Sequence, residues 1–257
     1  MSDKIYQVVE PIAPVRRAAR HDAPLDTQAL YGERLEFLNS ERDWAQVRLL
    51  SDGYVGFMPA DSISRENYEP THRITVPRTL VFSTPDLKTP PVSALTMGAL
   101  VKADNSSEKF VRLQDGTYVF AQHMQPTDFR FTDFVAVAEQ FLHTPYLWGG
   151  KSSQGIDCSG LAQLSLFMAG IDAPRDSGPQ EKTLGEILPA KLAPDDIKRG
   201  DLLFWSGHIA LARGYGSMIH ATANFMQVVI EPIAAACERI EKQGTKLSCI
   251  KRLMITA

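Results

Sequence analysis

The spacing of apolar residues changes near residue 130, and that change bounds the fold. Before it, short alternating runs at residues 6–9, 34–38, 45–50 and 54–58 are separated by turn residues such as Ser51-Asp52-Gly53, the pattern of half-buried strands. After it, Phe134, Val137, Ala138, Phe141 and Leu142 follow the i, i+3, i+4, i+7, i+8 spacing of an amphipathic helix, with Thr132 or Asp133 as N-cap and Pro145 as the stop. A second helical stripe, Leu161, Leu164, Leu166, Phe167 and Met168, ends before Gly170 at a C-cap position. A polar stretch with Pro174, Pro179 and Pro189 follows, and strand candidates return at residues 201–205, 208–212, 218–223, 227–230 and 246–255. Helices followed by an antiparallel sheet predict an α+β arrangement.

The strand-rich first half carries a weak internal repeat. Gly32, Val47-Arg48, Asp52-Gly53 and Tyr54-Val55-Gly56-Phe57 return in order as Gly98, Val111-Arg112, Asp115-Gly116 and Tyr118-Val119-Phe120. Both copies resemble bacterial SH3-like domains, which predicts two small β-barrels, residues 1–69 and 70–129, ahead of a third domain at 130–257. A chain of 257 residues has room for two or three domains at about 150 residues each.

Composition excludes more than it assigns. With 44% hydrophobic and 22% charged residues the chain reads as an ordinary globular protein, and a net charge of −3 without a Lys/Arg stripe argues against a nucleic-acid partner. Its three cysteines, Cys158, Cys237 and Cys249, fit a reducing compartment better than a disulfide framework. The first ten residues lack the apolar core of a signal peptide, and no apolar run approaches the roughly 20 residues that span a bilayer. The expectation is a cytoplasmic protein without a membrane partner.

Cys158 stands in Gly155-Ile156-Asp157-Cys158-Ser159-Gly160, at the start of the second helical stripe. Unpaired N–H groups and the macrodipole at a helix N-terminus favour a thiolate, so the position suits a nucleophile; the alternative is a small buried helix residue. Two histidines stand out as partners. His208 and His220 lie on consecutive strands joined by Arg213-Gly214-Tyr215-Gly216-Ser217, and a three- or five-residue loop would set them directly opposite each other. His208 then serves as base, storing the cysteine proton as a thiolate–imidazolium pair, and His220 orients it; the alternative is two strand histidines satisfied by backbone. A zinc site lacks a fourth ligand and any local pair such as CxxC or HExxH, so no metal or other cofactor is expected.

With these residues in place, a resemblance emerges. Thr144-Pro145-Tyr146-Leu147-Trp148-Gly149-Gly150, the cysteine stretch, Arg199-Gly200-Asp201-Leu202-Leu203-Phe204-Trp205, Gly207-His208-Ile209-Ala210 and Ile219-His220-Ala221 resemble the NlpC-type cell-wall cysteine peptidases over residues 130–257. His143 departs from the small residue expected there. The resemblance implies a papain-like domain that cleaves the bond between γ-D-glutamate and a diamino acid in murein peptides. With SH3-like modules in front, it implies a recycling enzyme acting on free peptides such as L-Ala-γ-D-Glu-meso-diaminopimelate. It further implies that Asp157 and Ser159 hold the free amino group of L-Ala, a charge-assisted contact, although Asp157 is equally placed to cap the helix. By the same resemblance the Tyr146 hydroxyl faces the cysteine and stabilises an oxyanion, or else fills space in its loop. Asp176 and Ser177 close the far side of the pocket, and Tyr54 with Asp22 or Asp26 narrows it from the first SH3-like domain. Trp148 and Trp205 are expected in the core. Alternatives in other classes are a murein-peptide-binding protein with little activity and an amidase or acyltransferase using the same residues.

Overall fold

The computed structural model describes residues 4–104, 109–189 and 196–254. It divides into two compact units, Met1–Phe129 and Arg130–Ala257.

The first unit is almost entirely β. Strands β1 (Ile5–Val8), β2 (Ile12–Arg16), β3 (Leu25–Leu30), β4 (Arg34–Glu41), β5 (Trp44–Leu49), β6 (Val55–Pro59) and β7 (Ile63–Ser64) form one antiparallel sheet in the order β3-β2-β6-β5-β4-β1-β7. Inward residues of successive strands, among them Val15, Leu35, Val47, Leu49 and Met58, make its core. The second half comprises β8 (His72–Ile74), β9 (Arg78–Phe82), β10 (Pro91–Thr96), β11 (Leu100–Val101), β12 (Phe110–Arg112), β13 (Tyr118–Phe120) and β14 (Met124–Pro126). These pair as two sheets, β10-β9-β13-β12 and β11-β8-β14, over a separate core that includes Ile74, Leu95, Val111 and Val119. The repeat in the sequence has a structural counterpart. A glycine turn at Gly53 or Gly116, a strand, a 3₁₀ turn at Ala60–Ser62 or Ala121–His123, and a short strand follow one another in both halves. Closed barrels, expected from the sequence, are not what the pairing gives: the end strands β3 and β7 of the seven-stranded sheet pair with β2 and β1 alone, so the sheet stays open.

The second unit begins with α1 (Phe134–Glu139), capped by Asp133, whose Oδ1 accepts from the N–H groups of Val135 and Ala136 at 2.9 and 3.2 Å. The apolar stripe predicts a longer helix. After Glu139 the bonds tighten to the three-residue spacing, Gln140 to Val137, Phe141 to Ala138 and Leu142 to Glu139. His143 then takes a positive φ of 68° and donates its N–H to Val228, turning the chain away. Next come β15 (Lys151–Ser152), β16 (Gly155–Ile156), α2 (Cys158–Met168), α3 (Ser177–Thr183), β17 (Glu186–Ile187), β18 (Leu202–Trp205), β19 (His208–Gly214), β20 (Ser217–Thr222), β21 (Gln227–Pro232), α4 (Ile233–Lys242) and β22 (Leu247–Arg252). The main sheet runs β17-β22-β18-β19-β20-β21.

α2 ends as its sequence predicts. Gly170, at φ 80°, bonds back to Phe167 while Ile171 bonds to Leu166, the pair of hydrogen bonds that defines a Schellman stop. The helix is buried almost all round and packs on α1, β19 and β20. Trp205 lies in the core, but Trp148 is 66% exposed. The neighbouring Gly149 and Gly150 are the buried part of that loop, which leaves the indole pointing outward. Among the described residues, no helix is long and apolar enough to cross a membrane.

Candidate active site

Cys158 is the first residue of α2, buried, and its thiol donates to the carbonyl of Gly207 at 4.0 Å. Gly207 and Ile209 flank His208, and the Ile209 N–H, with that of Ser159, also approaches the sulfur. The start of β19 is therefore laid against the Cys158 sulfur.

His208 and His220 do meet, by a route other than direct opposition. The β19–β20 loop is tighter than the sequence led us to expect: Gly214 pairs with Ser217, and Tyr215 and Gly216 both have positive φ, 51° and 67°, the backbone of a type I′ hairpin turn. A bulge between Ala212 and Gly214 then sets Leu211 opposite Ile219. In that register Ala210 faces His220, and His208 is one diagonal step away on the same face. The imidazoles span the diagonal, His208 Nε2 to His220 Nδ1 at 2.7 Å, with ring centres 5.0 Å apart. One more diagonal step reaches Glu231, since His220 pairs with Val229 across β20 and β21. The His220 Nε2–H donates to Glu231 Oε1 at 2.8 Å, and the Arg239 guanidinium from α4 closes on the same oxygen. Trp205 tilts over His208 at 5.6 Å between ring centres.

Burial sets the electrostatics. It pushes the Cys158 thiol up to about 12, helped by the Asp157 charge and opposed by the two N–H groups and Arg175. It pulls the His208 imidazole down to about 3, helped by the charge that His220 carries only when protonated and by Arg239, and opposed by Glu231. Both shifts favour the uncharged forms, a thiol and an imidazole, and so work against the stored thiolate–imidazolium pair expected from the sequence. Burial, helped by Asp157 and by Cys158 when it is ionised and opposed by Arg175, also raises the Tyr146 phenol, which favours its role as a hydrogen-bond donor. For Glu231, burial works the other way, but the His220 hydrogen bond and the Arg239 charge hold its carboxyl below the usual range.

Asp157 caps α2, with Oδ1 accepting from the Gly160 N–H at 2.7 Å. It also anchors a buried network that the sequence reading missed. Arg175 straddles the carboxylate, Nη1 to Oδ1 at 2.9 Å and Nη2 to Oδ2 at 2.8 Å. The Gly149 N–H reaches Oδ2 at 2.8 Å, and the Ser159 hydroxyl donates to Oδ1 at 3.2 Å while accepting from Arg175 at 2.9 Å. Both oxygens of Asp157 thus already carry protein donors. Gly160 is required by close approach: a Cβ there would lie 2.3 Å from the Gly150 carbonyl. The loop of Tyr146 and the cysteine stretch are locked together by this contact, by Arg175 Nη2 to Gly150 O at 3.1 Å, and by the bridge of Tyr146 to Ile156.

Asp176 and Ser177 begin α3, Asp176 without a side-chain cap bond to that helix. Gln180 of the same helix donates to the Ser159 carbonyl at 3.0 Å, tying α3 to the head of α2. In the first unit, Tyr54 packs against the β1–β7 core, Asp22 pairs with Arg20 at 3.4 Å and Asp26 with Arg17 at 2.7 Å. Arg199 and Asp201 of the Arg-Gly-Asp segment are structural: Arg199 binds Asp133 and Glu139 of the α1 region, and buried Asp201 pairs with Arg252. No spacing signals Arg175, a long side chain reaching across a loop. Glu231 was within reach, because the β20–β21 register places it beside His220.

Comparison with known proteins agrees with this geometry. Residues 15–63 match the family described as bacterial dipeptidyl-peptidase Sh3 domain, and residues 143–242 match the NlpC/P60 family. A gamma-D-glutamyl-L-lysine dipeptidyl-peptidase of Bacillus subtilis is 31% identical over 229 residues, 78% of this chain and 73% of that protein. One of the same description from Bacillus cereus is 28% identical over 241 residues, 81% and 71% of the two chains. Dipeptidyl-peptidase 6 of Lysinibacillus sphaericus is 28% identical over 82% of this chain and 85% of its own. The crystal structure of an NlpC/P60 family protein from Bacillus cereus superposes with a TM-score of 0.82 over 98% of this chain and all of that one, at 21% identity, a likeness of fold. The cysteine at a helix head, the histidine pair on the sheet and the sequence match converge: the chain belongs to the NlpC/P60 family of cysteine peptidases, with a bacterial dipeptidyl-peptidase SH3 domain in its first half.

Proposed function

We propose that the chain is a cytoplasmic dipeptidyl-peptidase that hydrolyses the γ-D-glutamyl–diamino acid bond of free murein peptides bearing an unblocked N-terminal L-Ala, as in murein recycling. The observation that carries the peptidase chemistry is the thiol at the head of α2 laid against Gly207 and Ile209, with His208 held by His220. The substrate reading is supported by the relatives described as gamma-D-glutamyl-L-lysine dipeptidyl-peptidases, which align with both units. We extend the SH3-like reading to the second half of the first unit on its repeated order of turn, strand, 3₁₀ turn and strand.

In this reaction Cys158 attacks the γ-glutamyl carbonyl as His208 takes the thiol proton. The developing oxyanion is met by the Cys158 N–H and the Tyr146 hydroxyl. The C–N bond breaks as His208 returns the proton to the leaving amine. Water then attacks the thioester with His208 again as base, releasing the dipeptide and restoring the thiol. Asp176 and Ser177 line the acyl side in this scheme. Ser159 and Asp157 face the L-Ala amine, and Asp157 does so by sharing an oxygen already bonded within the protein.

The test is mass spectrometry of L-Ala-γ-D-Glu-meso-diaminopimelate and its L-lysine counterpart after incubation with the protein, beside N-acetylated copies and a Cys158→Ala variant. The expected result is release of L-Ala-γ-D-Glu from free peptides alone, abolished in the variant. Cleavage by Cys158→Ala would overturn the mechanism. Equal cleavage of acetylated peptides would overturn the amine requirement, and binding without turnover would favour a murein-peptide-binding protein.

A further inference from the structure

We propose that Glu231 and Arg239 are positioning residues that fix the direction of the hydrogen bonds through the two histidines, and so decide which nitrogen of His208 is the base. This rests on the reading above, in which His208 takes the proton of Cys158. A carboxylate only accepts, so the contact of His220 Nε2 with Glu231 Oε1 at 2.8 Å requires the proton of His220 on Nε2. A neutral His220 then has an unprotonated Nδ1, which can only accept. The 2.7 Å contact with His208 in turn requires the proton of His208 on Nε2. The remaining nitrogen, His208 Nδ1, is left as a lone pair, the form a general base needs.

Arg239 has a separate part in this. Its guanidinium meets the same Glu231 oxygen that His220 uses, so the carboxylate already has a cation and needs only a hydrogen bond from His220. Were His220 to supply the counter-charge itself, both its nitrogens would donate. His208 Nε2 would have to accept, its proton would move to Nδ1, and the base would be lost. Phe225 holds Arg239 in place, its ring centre 5.3 Å from the guanidinium carbon. The side chain of His220 is fully enclosed and that of Glu231 is 13% exposed, so water has little access to substitute for the carboxylate.

The test is nitrogen-15 NMR of the full chain labelled at histidine, where two-bond proton–nitrogen correlations report each tautomer, together with kcat and KM for the free peptide. The wild-type protein is expected to show His208 and His220 both protonated at Nε2. Glu231→Gln is expected to give mixed or reversed tautomers and a roughly 10- to 100-fold loss of kcat, with KM within about twofold. Arg239→Gln is expected to move the His208 proton to Nδ1 with a similar loss, and Arg239→Lys to restore most of the rate. A wild-type His208 protonated at Nδ1 would overturn the proposal, as would a Glu231→Gln protein with unchanged tautomers or with reversed tautomers and unchanged kcat. The wild-type spectrum needs neither variant to fold nor the peptide to be the true substrate. Failure of the substrate reading is therefore seen separately, as absent turnover with the expected tautomers.

Discussion

Burial shifts Cys158 up and His208 down, each toward its uncharged form, and this predicts how the thiol should react. The cysteine is pushed up to about 12, so its thiolate fraction keeps growing as pH rises through the neutral range, and His208, drawn down to about 3, adds no charge above that value. The rate of inactivation by iodoacetamide should therefore climb continuously from pH 6 to 9.5. A plateau across pH 5 to 8 would instead reveal a preformed thiolate–imidazolium pair. Next to it, the Asp157–Arg175 pair has side chains only 11% and 1% exposed, and removing one partner strands a buried charge. Arg175→Met should cost about 3–5 kcal/mol in urea unfolding, whereas a loss under 1 kcal/mol would mean that Asp157 is solvated or paired elsewhere. Residue by residue, legibility followed chemistry that lies close in sequence. Cys158 could be read from its helix-start neighbours, and His208 and His220 from their place on consecutive strands. Arg175 could not, because its partners Gly150, Asp157 and Ser159 lie on two distant stretches that only folding brings to it.

At the level of elements, the site depends on the register of two hairpins. The sequence placed His208 and His220 on adjacent strands with the right parity, but centred the turn on Gly214, a register that holds only without a bulge; the bulge beside Gly214 and the two-residue loop shift it. Parity survived since the shift was an even number of residues, which leaves every side chain on its original face. The same reasoning explains why α2 was legible to its last residue: a capping aspartate and a Schellman glycine are local signals, while the length of α1 was decided by the distant Val228 carbonyl. The β19–β20 turn also offers a clean test of its assigned type. Tyr215 is fully exposed at φ 51°, a left-handed conformation disfavoured for most residues that carry a Cβ but tolerated by asparagine, whose short amide can hydrogen-bond locally. Tyr215→Asn should stabilise the protein by up to about 1 kcal/mol, read as a raised thermal midpoint with kcat unchanged. A lowered midpoint would show that this loop is not the I′ turn on which the register argument stands.

For the whole molecule, the proposed chemistry is confined to the second unit. Cys158, the histidine pair, Glu231, Arg239, Asp157 and Arg175 all lie beyond residue 130, and they are held by that unit's own elements. Leu203, Trp205, Ala212, Met218 and Ala236 form a core within it, and its chain start is fastened where Phe131 donates to the Met168 carbonyl at the end of α2. The first unit has cores of its own. A segment of this size with its own core is within the range of independently folding domains. Residues 130–257 produced alone should therefore unfold in one cooperative transition, with Cys158 alkylated at the same rate as in the intact chain and the same pair of histidine tautomers. Peptide turnover is a separate measurement on that fragment. If the nucleophile and relay are unchanged but hydrolysis of the free peptide falls, the first unit acts on substrate rather than on the catalytic groups. If the fragment is unfolded or its cysteine reacts differently, the second unit does not carry its catalytic geometry by itself, and the confinement argued from its core and its hydrogen bonds is wrong.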